Sequence, residues 1–236
     1  LLYYMDENHT MHNMFGFDQR NPHHFETLDN HCLSVLRYVI EHNNCVPLIV
    51  RLSAFLHDIG KLFTYELKED GVHYRFHGHD YVGSNIAYNI LKELKFSNEI
   101  CDSVKFIISK HMLMKQFHDE NGHLKISAKS ARKVLRKMDN FRDEILMIMD
   151  ADNKSHEVSS SNHLWHQIDD FRALVPSLLN NPISEKPRTL KCPVNGNMIM
   201  SAFGVEPGPK IRDYIAIAQD IFDEFPDATA DEIIKE

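Results

Sequence analysis

No run of about eighteen apolar residues occurs in the chain, and no basic-then-apolar leader opens it, so neither a spanning helix nor an export signal is expected. The expected location is the cytoplasm. Cysteine is sparse and scattered: Cys32, Cys45, Cys101 and Cys192 form no CxxC pair. That spacing argues against a thiolate zinc site or a disulfide framework and fits a reducing compartment. Basic residues are outnumbered by acids, giving a formal net charge of −8. Broad binding to nucleic acid depends on Lys and Arg displacing counterions from phosphates, so any contact with RNA should be local. Internal repeats and low-complexity runs are also missing. What the chain has in excess is histidine, sixteen in 236 residues. Neutral imidazole is the commonest metal ligand, so the surplus points to a metal site without locating it.

Apolar residues recur at helical spacing in "LDNHCLSVLRYVIEH" (28–42), "VPLIVRLSAFLHD" (46–58), "VGSNIAYNILKELK" (82–95) and "NEICDSVKFIISKH" (98–111). The same holds for "SAKSARKVLRKM" (127–138), "DEILMIMDADNKSH" (143–156) and "HLWHQIDDFRALVPSLL" (163–179). The predicted fold class is all-α, a helical bundle with one or two small β-hairpins and a C-terminal helical tail. Asp70-Gly71 in "FTYELKEDGVHYRF" and Asn121-Gly122 in "KQFHDENGHLKIS" mark the two hairpin turns. Near residue 176 the texture turns rich in Pro, Asn and Ser, which divides the chain into a domain over 1–176 and a helical tail over 177–236. In the tail Gly204 should end one helix, with Pro207 and Pro209 just before the next.

The segment "LHDIGKLFT" (55–63) ends an apolar helix on His57, Asp58 and Lys61. Adjacent helical residues point about 100° apart, so His57 and Asp58 cannot share an ion in mid-helix, although they can at a helix end. Gly60 is expected to make that end by adopting the left-handed conformation. His31 lies on the preceding helix, and Asp150 and Asp152 lie on a later one beside Ile148 and Met149, where an unpaired carboxylate is costly. Any of these residues alone reads as an ordinary hydrogen-bonded group. As an ordered set they offer nitrogen and oxygen donors without thiolate, which suits Mn, Fe, Co, Ni, Zn or Mg as the divalent ion.

His31, His57-Asp58 and Asp152 follow the H…HD…D pattern of the HD superfamily of metal-dependent phosphohydrolases, which the chain resembles. "FGFDQRNPHHFETLDNH", "RLSAFLHDIGK", "FHGHDYVGSNIAYNILKELKFSN", "ISKHM" and "DADNKSH" are similar, in that order, to the HD-bearing part of bacterial tRNA nucleotidyltransferases, the CCA-adding enzymes. The tail "VNGNMIMSAFGVEPGPKI" resembles that family's C-terminal helical segment, apart from the glycine the family usually carries shortly after the GP pair; this chain continues "KIRDY". No segment of 1–236 resembles the family's GS-containing turn and DxD carboxylate pair, so nucleotide addition is not expected of it.

The resemblance implies hydrolysis of 2′,3′-cyclic phosphates or phosphomonoesters of nucleotides or RNA ends. It makes His31, His57, Asp58 and Asp152 the ligands of a divalent ion. His79 in "GHD" and His111 in "SKHM" match histidines that bind a second ion in binuclear members, with Asp58 as the bridge; the other reading is pocket-lining imidazoles that assist the leaving oxygen. Lys61 is placed to neutralise a phosphoryl oxygen. "KISAKSARKVLRK" (125–137) holds Lys129, Arg132, Lys133 and Arg136 along one helical face, with Arg132 the leading phosphate contact. Gln19 and His24 are expected at the ribose or base, and His156 behind Asp152. Two alternatives stand: a tRNA-binding body and tail of a nucleotidyltransferase, and an HD-type diiron oxygenase. Nucleotide or the 3′ end of RNA, tRNA included, is the expected partner, and no membrane is.

Overall fold

The computed structural model describes residues 3–5, 11–20, 26–155, 164–180, 192–208, 210–224 and 228–235. By internal packing the chain divides into two compact units, Leu1–Ile126 with Lys133–Pro176 and Ser127–Arg132 with Ser177–Glu236. The first unit opens on a short antiparallel ribbon, β1 (Tyr3–Met5) with β2 (Met11–Asn13), which the sequence pattern does not announce. Then come α1 (Leu28–His42), α2 (Leu48–Leu56), α3 (Lys61–Thr64), the hairpin β3 (Tyr65–Leu67) and β4 (Tyr74–Phe76), α4 (His79–Glu93) and α5 (Asn98–Ile108). In chain order α6 (Ala128–Met138), α7 (Arg142–Lys154) and α8 (Gln167–Asn180) follow. The all-α class with small β-ribbons is what the structure has, and no helix among the described residues is long and apolar enough to cross a membrane.

Helical periodicity selects the buried faces. In α1, Leu28, His31, Cys32, Val35 and Val39 recur at three- and four-residue steps and are buried together, so His31 sits on the apolar stripe. In α7, Ile145, Ile148 and Asp152 share such a stripe. Helix α1 packs on α2 and α7, and α2 packs on α5. Around them Leu28, Leu56, Ile59, Leu62, Ile90, Val104 and Ile108 belong to one core cluster. Two polar residues thus arrive in the middle of a hydrophobic packing problem, from two different helices.

Of the two expected hairpins, one is complete. In β3–β4 the register pairs Tyr65 with Phe76 and Leu67 with Tyr74, and Asp70 Oδ1 accepts hydrogen bonds from the Val72 and His73 amides, with Gly71 at φ +69°. The Asn121-Gly122 turn forms, but the strands beside it shrink to a single bridge between His118 and Leu124. There Asp119 Oδ1 accepts from the Asn121 and His123 amides.

Gly60 departs from expectation in mechanism. Its backbone is ordinary right-handed helical, φ −63° and ψ −22°. The reason for glycine is space: a Cβ there would run into the His79 carbonyl and lie 2.6 Å from the Gly83 amide nitrogen. Backbones of the 57–60 turn and α4 therefore touch at a Gly60–Gly83 pair, which fixes His79 beside Asp58. The left-handed glycine is Gly78, φ +71°, which turns the chain from β4 into α4.

The second unit contains α9 (Gly196–Phe203), α10 (Lys210–Glu224) and α11 (Ala230–Lys235) around Val194, Ile199, Ala218, Phe222 and Ile233. Asn195 caps α9 by accepting from the Asn197 and Met198 amides, and Gly204 ends it at φ +61°, as the sequence predicts. Thr229 and Glu232 form a reciprocal capping box for α11.

Gly60→Ala should cost about 2 kcal/mol or more, because backbone rather than a flexible side chain blocks the methyl. The urea midpoint of unfolding measures it; a midpoint within error of the native protein's would contradict the close backbone approach.

Candidate metal centre

The turn after α2 brings Asp58 into a pocket of imidazoles, and each of its oxygens faces a separate set. Asp58 Oδ2 lies 3.3 Å from His31 Nε2, 3.3 Å from His57 Nε2 and 2.7 Å from Lys61 Nζ. Asp58 Oδ1 lies 3.2 Å from His79 Nε2 and 3.7 Å from His111 Nε2. Asp152 Oδ1 completes the first set, 3.3 Å from His31 Nε2 and 3.8 Å from His57 Nε2. Two clusters able to hold a metal ion result: His31, His57 and Asp152, and Asp58, His79 and His111, all buried.

Backbone carbonyls orient three of the rings. His57 Nδ1 lies 2.9 Å from the Ala54 oxygen, His79 Nδ1 2.8 Å from Phe76 and His111 Nδ1 2.7 Å from Ile108. A carbonyl only accepts, so each Nδ1 carries the proton and each neutral ring aims the bare Nε2 inward. Those lone pairs then face carboxylate oxygens and one another; His79 and His111 Nε2 are 3.3 Å apart. His57 Nε2 is buried and makes no hydrogen bond. Lone pair against lone pair is repulsive unless a cation stands between them, so the residues present fit divalent metal.

Without metal, protons take the cation's part. Burial pushes His31 and His79 down, but Asp152 and Asp58 beside them more than compensate, and both imidazoles are held above the ordinary value. His111 goes the other way: burial, with His79 and His57 as neighbours, lowers it to about 3. Burial opposes ionisation of Asp58 and Asp152, yet Lys61 and His57 hold Asp58, and Lys115 and His31 hold Asp152, well below the usual carboxylate range.

A pocket of about 280 Å³ opens on this centre, lined by Asp58, Asp152, His79 and Met112 together with Lys61, Lys115, Lys68 and Arg75. Tyr74, Phe76 and His77 complete it. Four Lys or Arg face two Asp, an inverted charge balance in an acidic protein. Lys115 was not among the residues singled out from sequence. Its Nζ lies 2.7 Å from Asp152 Oδ2 and donates to Asn153 Oδ1 at 3.0 Å. The one sequence signal for it is position, four residues after His111. Lys68 and Arg75 reach the pocket from the hairpin and His77 from its exit.

Other expected residues land elsewhere. Gln19 is fully buried, accepting from Lys61 Nζ at 2.8 Å and donating to the Glu26 carbonyl, so it positions the lysine and cannot meet ribose or base here. Lys61 is itself 4% exposed, with Phe76 under its ammonium at 5.3 Å. Asp150 pairs with Lys154 and Arg172 and stays out of the ligand set. Arg132 falls in the second unit, within Ser127–Arg132, and is not among the pocket's lining residues. His24 and His156 lie outside the described residues.

The HD domain family model matches residues 28–152, just over half of the chain. Over 202 residues the chain is 23% identical to an A-adding tRNA nucleotidyltransferase of Deinococcus radiodurans, covering 85% of this chain and 43% of that protein. Over 198 residues it is 24% identical to a CC-adding tRNA nucleotidyltransferase of Thermus thermophilus, 84% of this chain and 41% of that one. A 133-residue stretch is 33% identical to a multifunctional CCA protein of Ectopseudomonas mendocina, 55% of this chain and 29% of that one. The chain spans less than half the length of each of these relatives.

Because His31 and His79 are raised above the ordinary 6.5 in the metal-free protein, an entering ion must displace their protons near and below neutrality. Affinity for Mn²⁺ should be full above the raised values and fall as pH drops through them, with protons released on binding. Titration calorimetry at about pH 7 in two buffers of different ionisation enthalpy reads that release. Equal heats and a pH-independent affinity would contradict it.

Proposed function

The chain belongs to the HD domain family, and from that premise we propose that it is a metal-dependent phosphohydrolase acting on phosphoesters of nucleotides or RNA ends, 2′,3′-cyclic phosphates and phosphomonoesters included. The observation that carries this reading is Asp58, whose two oxygens serve two histidine sets at the floor of a cationic pocket. On this reading His31, His57 and Asp152 would hold one ion, His79 and His111 a second, and Asp58 would offer an oxygen to each. Ions held there supply Lewis acidity and a bound water of lowered pKa.

The chain's own groups do the rest. Lys61 and Lys115 each lie 2.7 Å from a carboxylate, cancelling the charge of Asp58 and Asp152, so that any divalent ion adds positive charge the pocket keeps for an anion. Lys115, partly open to the pocket, stabilises phosphoryl oxygens as they gain charge. His111, held well below the ordinary imidazole value by burial and by its neighbours His79 and His57, is suited to donate a lone pair. Gln19 keeps Lys61 in register with Asp58.

A second reading has a specific observation behind it: the similarity of most of the chain to tRNA nucleotidyltransferases favours a tRNA-binding body and tail of such an enzyme. It predicts RNA binding weakened by salt and no hydrolysis. The lysines around the carboxylates favour an anionic substrate over the oxygen chemistry of an HD-type diiron oxygenase.

The test is a screen of mononucleotides, 2′,3′-cyclic nucleotides and phosphate-ended RNA with Mn²⁺, Ni²⁺, Co²⁺ or Mg²⁺. Wild type should turn over at least one class, Asp58→Ala none, and Lys115→Ala should lose about a hundredfold in kcat/KM. A wild type inert towards all of them would overturn the hydrolase reading.

A further inference from the structure

Resting on the phosphohydrolase reading, we propose that the β3–β4 hairpin forms an outer anion subsite for a second phosphate, making the pocket a receptor for the end of an RNA strand in preference to a mononucleotide. The cations lining the pocket fall into two groups with different circumstances. Lys61 and Lys115 are each committed to an aspartate at 2.7 Å. Lys68, Arg75 and His77 come from the hairpin and its exit, and no acid lines the pocket beside them; Asp58 and Asp152 are the acids in its lining.

Arg75 Nε does donate to Glu66 Oε2 at 2.8 Å, but both side chains are more than half exposed, 51% and 58%. Such a solvent-screened pair is easily exchanged for phosphate, and the guanidinium fork has further N–H groups to offer. A mononucleotide carrying only the reacting phosphate leaves these cations facing neutral ribose and base. A strand end brings an internucleotide phosphate as well. Tyr74 lines the same pocket, with the Arg20 guanidinium carbon 5.1 Å from its ring centre and Tyr65 5.2 Å away, so a braced aromatic ring is available to a base between the two phosphates. A compact patch of this kind is also how a chain of net charge −8 can contact RNA locally.

The experiment compares a short RNA ending in a 2′,3′-cyclic or 3′-phosphate with the mononucleotide bearing the same group, using the metal-loaded full chain and the variant Lys68→Ala/Arg75→Ala. Wild type should favour the RNA by about tenfold in kcat/KM, and the ratio should fall towards one in the variant. The salt slope of KM for the RNA should drop by about 2, one for each cation removed. Anisotropy of a labelled copy of the RNA reads the same subsite without turnover. Equal use of both substrates by wild type, or a variant that slows both alike, overturns the subsite. Wild type that binds the RNA through the hairpin but hydrolyses neither substrate overturns the hydrolase reading and leaves the subsite standing.

Discussion

The constraint on which the rest depends is the burial of two carboxylates, Asp58 and Asp152, among four imidazoles, three of which turn Nδ1 to a backbone carbonyl and Nε2 inward. Buried carboxylate is costly without a counter-charge. The fold answers with Lys61 on Asp58 and Lys115 on Asp152, and with carbonyl-locked histidines that leave room for cations alone. Each neighbouring element follows from this. α1 and α7 bring His31 and Asp152 in on their apolar stripes, and the Gly60–Gly83 backbone contact sets α4, and so His79, against the Asp58 turn.

The helices, and the meeting of the candidate ligands, were legible in the sequence for a common reason. Periodicity marks which side chains face inward, and a histidine or aspartate on such a face demands a partner, which is how His31 and Asp152 could be joined to His57-Asp58. What was not legible depended on tertiary approach. Gly60 looked like a helix terminator because glycine usually is; only the packed backbone of α4 reveals that it yields space. Gln19 looked like a surface contact because nothing in its own segment announces the buried lysine 42 positions on. Lys115 follows α5 in a run of turns, where helical spacing is no guide, and Arg132 stood out in its basic stretch through the family resemblance, which says nothing of which unit it joins.

Membership of the HD domain family and similarity to tRNA nucleotidyltransferases pull the functional reading in related directions. Four imidazoles around two buried carboxylates are what favours the proposed hydrolysis over a binding role alone. Lys68 and Arg75 of the hairpin line the same pocket as Asp58 and Asp152, so the proposed contact with a strand and the proposed chemistry share one cavity.

The proposed centre would hold two ions, with Asp58 offering one oxygen towards each histidine set. Electron paramagnetic resonance of the Mn²⁺-loaded protein tests it most directly. The account predicts the exchange-coupled spectrum of a Mn²⁺ pair, replaced in His79→Ala by the six-line spectrum of an isolated ion. A six-line spectrum from the fully loaded wild type would contradict it.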